Sequence, residues 1–260
     1  MNEQLHLDFS KIVKTSKISK EEIQIKKDFL NKFIESGFPN RKQEDWKFLD
    51  ISQIIKKNIS NLSFFNDYSI PNQIDQSIFV DGLEHNKIIF INGRIEKIDF
   101  SYEDQNKIEI KDEIKKDISF NYENSLIDLN SAFTHKVFKI FIKKNYSLKK
   151  PLIIYHSIND KLKSTNINLR LDFDLGENSC LRLIDFYTNN AAKNFINIFY
   201  NFNLEKDAIL KNYKIDKFKN NNLKYSFNNI EQGNNSVSET FILSAGSDYL
   251  KNEINCNLNG

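Results

Sequence analysis

The residues able to do chemistry are few and scattered. Four histidines occur in 260 residues (His6, His85, His135 and His156), and no two stand at the i, i+4 step of a helical metal pair. No H-E-x-x-H, G-x-S-x-G or P-loop spelling is present. His135 precedes an apolar run and His156 ends one, placements that suit packed or surface imidazoles better than general bases. Cys180 and Cys256 are isolated, so neither a disulfide framework nor a C-x-x-C metal knuckle is encoded. Cys180 follows a polar corner and opens a strand, where a small semi-buried thiol packs well. Asp172 and Asp174 share one face of an alternating strand, and a β-helix carbohydrate-active enzyme would use such carboxylates for acid–base or metal work. They alternate with Phe173 and read more simply as the solvated side of that strand. No residue is therefore assigned a catalytic, cofactor-binding or metal-ligating role.

Composition narrows the class. An apolar fraction of 40% with 13% aromatics can supply a packed core. The 37 Lys and Arg nearly cancel the 35 Asp and Glu, which argues against a nucleic-acid binder, since phosphate contacts need a basic face. Lysine pairs such as Lys56-Lys57 and Lys149-Lys150 read as solvated helix or strand ends. Only four of the 37 basic residues are arginine, a bias expected of AT-rich coding, so the run Asn220-Asn221-Asn222 carries no low-complexity function. The stretch Met1–His6 lacks the basic and apolar regions of a secretory signal, and uninterrupted apolar runs such as Ile88–Ile91 are too short to span a bilayer. A cytoplasmic protein is expected.

The elements that must position these residues divide the chain in two. Residues 1–80 read as a helical N-terminal region: Ser19 and Glu22 have capping-box spacing, Ile23, Phe29, Leu30, Phe33 and Ile34 form a stripe, and Gly37 and Pro39 end it. A second short helix is predicted over Trp46 to Ile55, and Pro71 marks a loop. Residues 81–260 read as a β core. Ile88–Ile91 runs into an Asn92-Gly93 turn, a short helix is placed between Asn121 and Phe133, and strands are expected at Val137–Ile142 and Pro151–His156.

Asn166–Leu175 is apolar at every second residue and passes through Gly176–Ser179 into Cys180–Phe186. The same design is read at Phe199–Leu204 into Ala208–Ile215, and at Val237–Leu243 into Asp248–Leu258. Three strand–corner–strand copies at roughly 30 to 40 residue spacing are a quasi-repeat, and the short corners favour a parallel β-solenoid over a sandwich.

The segment Gly37–Phe48 holds the single tryptophan together with Pro39 and Arg41. Trp46 is expected to bury its ring where helices meet strands, with Glu44 and Asp45 at a helix N-terminus and Arg41 paired to one of them. This segment resembles the G-x-P-x-[RK]-[RK]-x-E-D-W-[KR]-[YF] signature of the SufD-type subunit of the Suf (SufBCD) iron–sulfur cluster assembly scaffold. Further motifs follow in the same order. Ile89–Arg94 is similar to the family's V-N-G strand end, with Ile95 in place of an aromatic, and Leu129-Asn130-Ser131-Ala132-Phe133 is similar to its L-N-[ST]-A-[FL] element. Lys149–Leu152 resembles the strand entry, and Gly176–Ser179 and Asn201 with Lys206–Ala208 resemble the corner repeats.

The resemblance implies a mainly β protein with a helical N-terminal region and a parallel β-helix core. It implies a non-catalytic scaffold acting with a SufB-like subunit and a SufC-like ATPase, with no nucleic-acid or membrane partner. The iron–sulfur cluster would be carried transiently by the assembled complex, because about four thiolates hold such a cluster and two isolated cysteines do not suffice. In the family, the SufB-facing part of the core, the functional histidine and the ATPase-docking helices lie downstream of the matched region, so no residue here inherits those roles. The alternating stretch Glu253–Gly260 ends at a corner without a cap, from which a C-terminally truncated chain is expected. The reading from another class is a β-helix carbohydrate-active lyase or hydrolase.

Overall fold

The computed structural model describes residues 1–16, 18–59, 61–66, 79–113, 124–159, 161–189, 193–218, 222–246 and 249–259. Its strands wind into a parallel β-solenoid roofed on one side by helices. The first strands are β1 (Asn86–Ile91), β2 (Arg94–Asp99), β3 (Ile108–Glu113), β4 (Val137–Ile142) and β5 (Leu152–Ile158). The long coils follow as β6 (Asn166–Leu175), β7 (Cys180–Asn189), β8 (Phe195–Leu204), β9 (Ile209–Phe218), β10 (Leu223–Gln232), β11 (Val237–Ala245) and β12 (Tyr249–Leu258). They form two six-stranded sheets, β11-β9-β7-β5-β1-β2 and β12-β10-β8-β6-β4-β3. Pairing between coils is parallel throughout, as in Leu169↔Ile198 and Asp185↔Lys214. Only β1/β2 and β3/β4, at the N-terminal end, are antiparallel. Leu169, Leu171, Phe173 and Leu175 point into one core, as the alternation required.

The corners explain the repeat. Each long coil turns from one sheet to the other through four residues, 176–179, 205–208 and 233–236. The third residue of each corner, Asn178, Asp207 or Asn235, has φ between 54° and 57°, a left-handed conformation that Asn and Asp tolerate better than other side-chain-bearing residues. Asn145 holds the same conformation in the preceding coil. The backbone N–H groups of Asn145, Asn178 and Asp207 donate to the carbonyls of Glu177, Lys206 and Asn234 in the next coil, at 2.7, 3.0 and 2.9 Å. The corners therefore stack as the strands do.

Two readings of the repeat are corrected. The period is about 28 to 29 residues, as the matched positions Asn178, Asp207 and Asn235 show, rather than 30 to 40. The last copy is β10 into β11, while Ser244–Gly246 belongs to the opposite side of the solenoid. β10 was missed because Lys224, Ser226 and Asn228 occupy its interior positions, so its inward face is not apolar in the sequence.

The N-terminal helices are α1 (Asn2–Thr15), α2 (Lys20–Ser36) and α3 (Ile51–Asn58), joined in the roof by α4 (Ser125–Phe133). Ser19 caps α2 by accepting from the Glu22 N–H at 3.1 Å, and Gly37 ends it with φ 69°. The second helix departs from expectation. Glu44–Trp46 is a single 3-10 turn, and α3 starts later because Asp50 caps it, accepting from the Gln53 N–H at 2.9 Å. Glu44 pairs locally with Lys47 at 3.0 Å, whereas exposed Arg41 makes no ion pair among the described residues. The Pro71 loop lies outside the described residues.

The roof alters the fate of the outer strand faces. Phe195, Phe199, Leu223, Tyr225 and Phe227 face it and share one cluster with Leu5, Leu30, Phe33 and Trp46. The Asp172 side chain, expected in solvent, is 1% exposed and bonded to Arg170 at 3.1 Å, because helices cover the sheet face that alternation alone leaves to water. Asp174 stays at the margin, paired with Lys139 at 2.7 Å. The Leu129–Phe133 element is part of this roof. The Asn130 side-chain amide donates to the Leu169 and Asn197 carbonyls on adjacent coils at 3.1 and 2.8 Å, stapling α4 across β6 and β8.

Trp46 is 6% exposed, its ring 5.6 Å from that of Tyr225, with the Lys251 ammonium 4.1 Å over it. Trp46→Ala is expected to cost about 3–5 kcal/mol in denaturant titration, the range for a buried large aromatic. A loss below about 1 kcal/mol would place the ring outside the cooperative core.

Lys26 lies under the roof and donates to the Thr134 carbonyl. Burial lowers its pKa to about 8 against the pull of Glu22, with Arg170 adding to the lowering. The unfolded chain holds this proton up to about 10.5, so between those values it binds more protons than the folded chain, and stability rises with pH. Unfolding free energy measured from pH 8 to 10 is expected to climb, by at most about 3 kcal/mol from this group. The climb should be smaller in Lys26→Met, and an identical pH profile in that variant counts against the buried ammonium.

Candidate functional site

The densest chemistry lies between the two sheets. Register stacks Phe90, His156, Tyr187, Asp216 and Ser244 in one inward column, and Ile154, Asp185, Lys214 and Ile242 in the next. The interior therefore changes along the solenoid axis, from apolar at β1 to charged at β7 and β9. Tyr200 and Lys224 reach the same space from the opposite sheet, as their bonds to Asp185 and Asp216 show.

The geometry closes on itself. His156 Nε2 lies 2.7 Å from Asp185 Oδ1, and because an ionised carboxylate only accepts, that nitrogen carries the proton. Asp185 Oδ2 accepts from the Tyr200 hydroxyl at 2.6 Å and from the Lys214 ammonium at 3.1 Å. Lys224 bonds Asp216, whose other oxygen accepts from Ser244 at 3.0 Å. Each ammonium also sits over an aromatic face, Lys214 over Tyr200 and Lys224 over Tyr187, both at 3.7 Å. His156 stacks on Tyr187 with ring centres 3.9 Å apart.

Electrostatics follow from enclosure. Burial would raise the Asp185 carboxyl, but Lys214, then His156 and Lys224, outweigh it and hold the group well below the usual carboxylate range. Burial pushes His156 down against the attraction of Asp185, so its imidazole is neutral at physiological pH. Burial also lowers Lys214, opposed by Asp185, and it lifts Tyr187 and Tyr200 well above the usual phenol. Asp185 and Asp216 thus face Lys214 and Lys224, two carboxylates against two ammonium groups.

This network holds charge but does not admit a substrate. The void beside Phe90, His156 and Tyr187 measures about 10 Å³, room for about one water. His156 is packed, one of the two readings its position allowed. His135 is half-buried at the mouth of β4, and burial, then Lys136, Lys26 and Arg94, lower its pKa. Cys180 begins β7 and Cys256 ends β12 on the other sheet, where its thiol donates to Gln232 Oε1 at 2.9 Å. Burial and then Glu231 raise that thiol, which keeps it protonated. Among the described residues no group of three or more His, Cys, Asp or Glu is arranged to hold a metal. Asp172 and Asp174 do not converge on open space, so the carbohydrate-active reading finds no site in them.

One sequence signal pointed to the network. In Leu181-Arg182-Leu183-Ile184-Asp185, the aspartate shares the inward face of two leucines, a charge in a column that should be apolar. Its partners come from other coils and carry no local mark.

Lys214→Met leaves Asp185 facing a neutral imidazole. The His156 pKa is expected to rise above its ordinary 6.5 in an NMR titration, as the imidazolium takes over the balancing charge. Stability should fall by about 3–5 kcal/mol and recover in part in the Asp185→Leu/Lys214→Met double variant. An unchanged titration with a loss below about 1 kcal/mol would show that the pair is uncoupled.

No curated protein matches the chain. No helix among the described residues is long and apolar enough to cross a membrane. Residues 156–260 match the family model described as SUF system FeS cluster assembly, SufBD core domain. The matched region begins in β5 and takes in the coils that carry the buried network. Together with the parallel solenoid, this match supports a SufBD core domain in residues 156–260 and, through it, a role in iron–sulfur cluster assembly.

Proposed function

We propose that the chain is a SufD-type, non-catalytic scaffold subunit, acting in the cytoplasm with a SufB-like subunit and a SufC-like ATPase. The observation that carries this reading is the match of residues 156–260 to the SufBD core domain, laid over an in-register parallel solenoid. The resemblance of Gly37–Phe48 to the E-D-W signature favours the SufD type over its SufB relative. That segment packs Trp46 against the β10 residue Tyr225, which suits a structural signature. The iron–sulfur cluster is cargo of the assembled complex. Cys180 and Cys256 stand on different sheets, so further ligands come from the SufB-like partner.

The last coil exposes apolar surface next to the part of the core that, by the resemblance, faces that partner. Phe241 and Leu243 on β11 are 57% and 54% exposed and end two outward columns, one from Ile153 through Ile184 and Tyr213, the other from Tyr155 through Phe186 and Ile215. The outer edges of β11 and β12 pair with no strand among the described residues. Co-expression of the tagged chain with SufB-like and SufC-like subunits, followed by size-exclusion chromatography, tests the reading. The SufB-like subunit is expected to co-elute, and Phe241→Asp with Leu243→Asp should weaken its retention by about tenfold. Elution of the tagged chain alone, with both subunits folded and present, would overturn it.

A further inference from the structure

A cavity of about 540 Å³ opens on the N-terminal side of the solenoid, away from the charged interior. It lies between the end of α1 (Ile12, Thr15, Ser16), Phe65–Asn66, the Asn92-Gly93 turn that joins β1 to β2, and the link from α4 into β4. Its volume falls within the roughly 300–1,000 Å³ of small-molecule sites. The walls combine an apolar body with a few convergent polar groups. Ile12, Phe65, Ile95, Phe133 and Phe138 supply the first.

The polar groups have one sign. Arg94, His135 and Lys136 line the cavity, and no carboxylate among the described residues lines it. Their acidic neighbours stand outside: Glu96 is 3.9 Å from Arg94, and Asp112 bonds Lys136. Lys26 adds to the positive potential felt at His135. The His135 ring lies with Nδ1 3.3 Å from Ser16 Oγ, which ties the link to α1.

Asn66, 7% exposed, ties this wall to the turn, its side-chain N–H donating to the Asn92 carbonyl at 2.6 Å.

We propose that this cavity binds a small aromatic organic anion. Its carboxylate or phosphate engages Arg94 and Lys136, and its ring packs between Ile12, Ile95 and the three phenylalanines. The site is independent of the SufB/SufD reading, since every lining residue lies outside the matched segment.

Isothermal titration of the full chain tests it with para-hydroxyphenylacetate, phenylacetate, phenyl phosphate and inorganic phosphate. The aromatic anions are expected to bind, with inorganic phosphate weaker by about tenfold or more. Comparison of phenylacetate with phenyl phosphate shows which anionic group the cations prefer. Arg94→Glu, at an exposed position, should lower affinity by about tenfold or more without changing the melting temperature. Thr15→Trp, placed at the mouth, should block binding. The proposal is overturned if none of the aromatic anions binds at about 1 mM, or if binding persists undiminished in both variants.

Discussion

The solenoid depends on a backbone constraint at its corners. The long coils turn within four residues because the third adopts the left-handed conformation, as Asn178, Asp207 and Asn235 all do, and Asn145 repeats it in the longer link from β4 to β5. For most side chains that conformation costs roughly 1–2 kcal/mol, and Asn and Asp reduce the cost by local hydrogen bonding. Once the corners match, their N–H groups reach the next coil, and the strands between them have no freedom to slip. A one-residue slip would turn Leu181 and Leu183 out of the core and bring Arg182 and Ile184 in. The corners thus set the register on which the interior depends.

Register then decides what the interior can hold. Because inward positions stack coil upon coil, Asp185 meets Lys214 as its direct neighbour in the parallel ladder. Tyr200 and Lys224 complete the set from the opposite sheet. An isolated buried charge would be expelled or neutralised, whereas two acids and two ammonium groups, each with hydrogen bonds and an aromatic face, persist together. The neutral His156 ends the network where it meets the apolar coils of β1 and β5. With space for about one water, this is a charge-balanced core and not a reaction chamber.

The helical roof turns a one-sided sheet into a two-sided one. Arg170 and Asp172 pair beneath it, with the Arg170 guanidinium 4.9 Å from the Phe199 ring centre. Asn130 bonds carbonyls of two coils, and Trp46 seals the far margin against Tyr225. Two of the short motifs that carry the family resemblance, Glu44-Asp45-Trp46 and Leu129–Phe133, are thus devices that seat helices on the solenoid, and packing accounts for their specific spelling.

Much of this was legible before any coordinates. Period-two alternation in Asn166–Leu175, the Gly176–Ser179 corner and the Asn92-Gly93 turn are local, short-range signals, and each became the element it predicted. Capping at Ser19 and the break at Gly37 were equally local. Helix α3 was misplaced because Asp50, not Glu44 or Asp45, provides its cap. What the chain could not reveal one residue at a time was whatever depends on partners from distant coils. The burial of Asp172, the missed strand β10, the His156–Asp185–Lys214 network and the cavity around Asn66 all arise when segments tens of residues apart are brought into contact. Local sequence determined where the chain turns and which face is apolar. Only tertiary structure decided which polar side chains are enclosed, because enclosure depends on what packs over them.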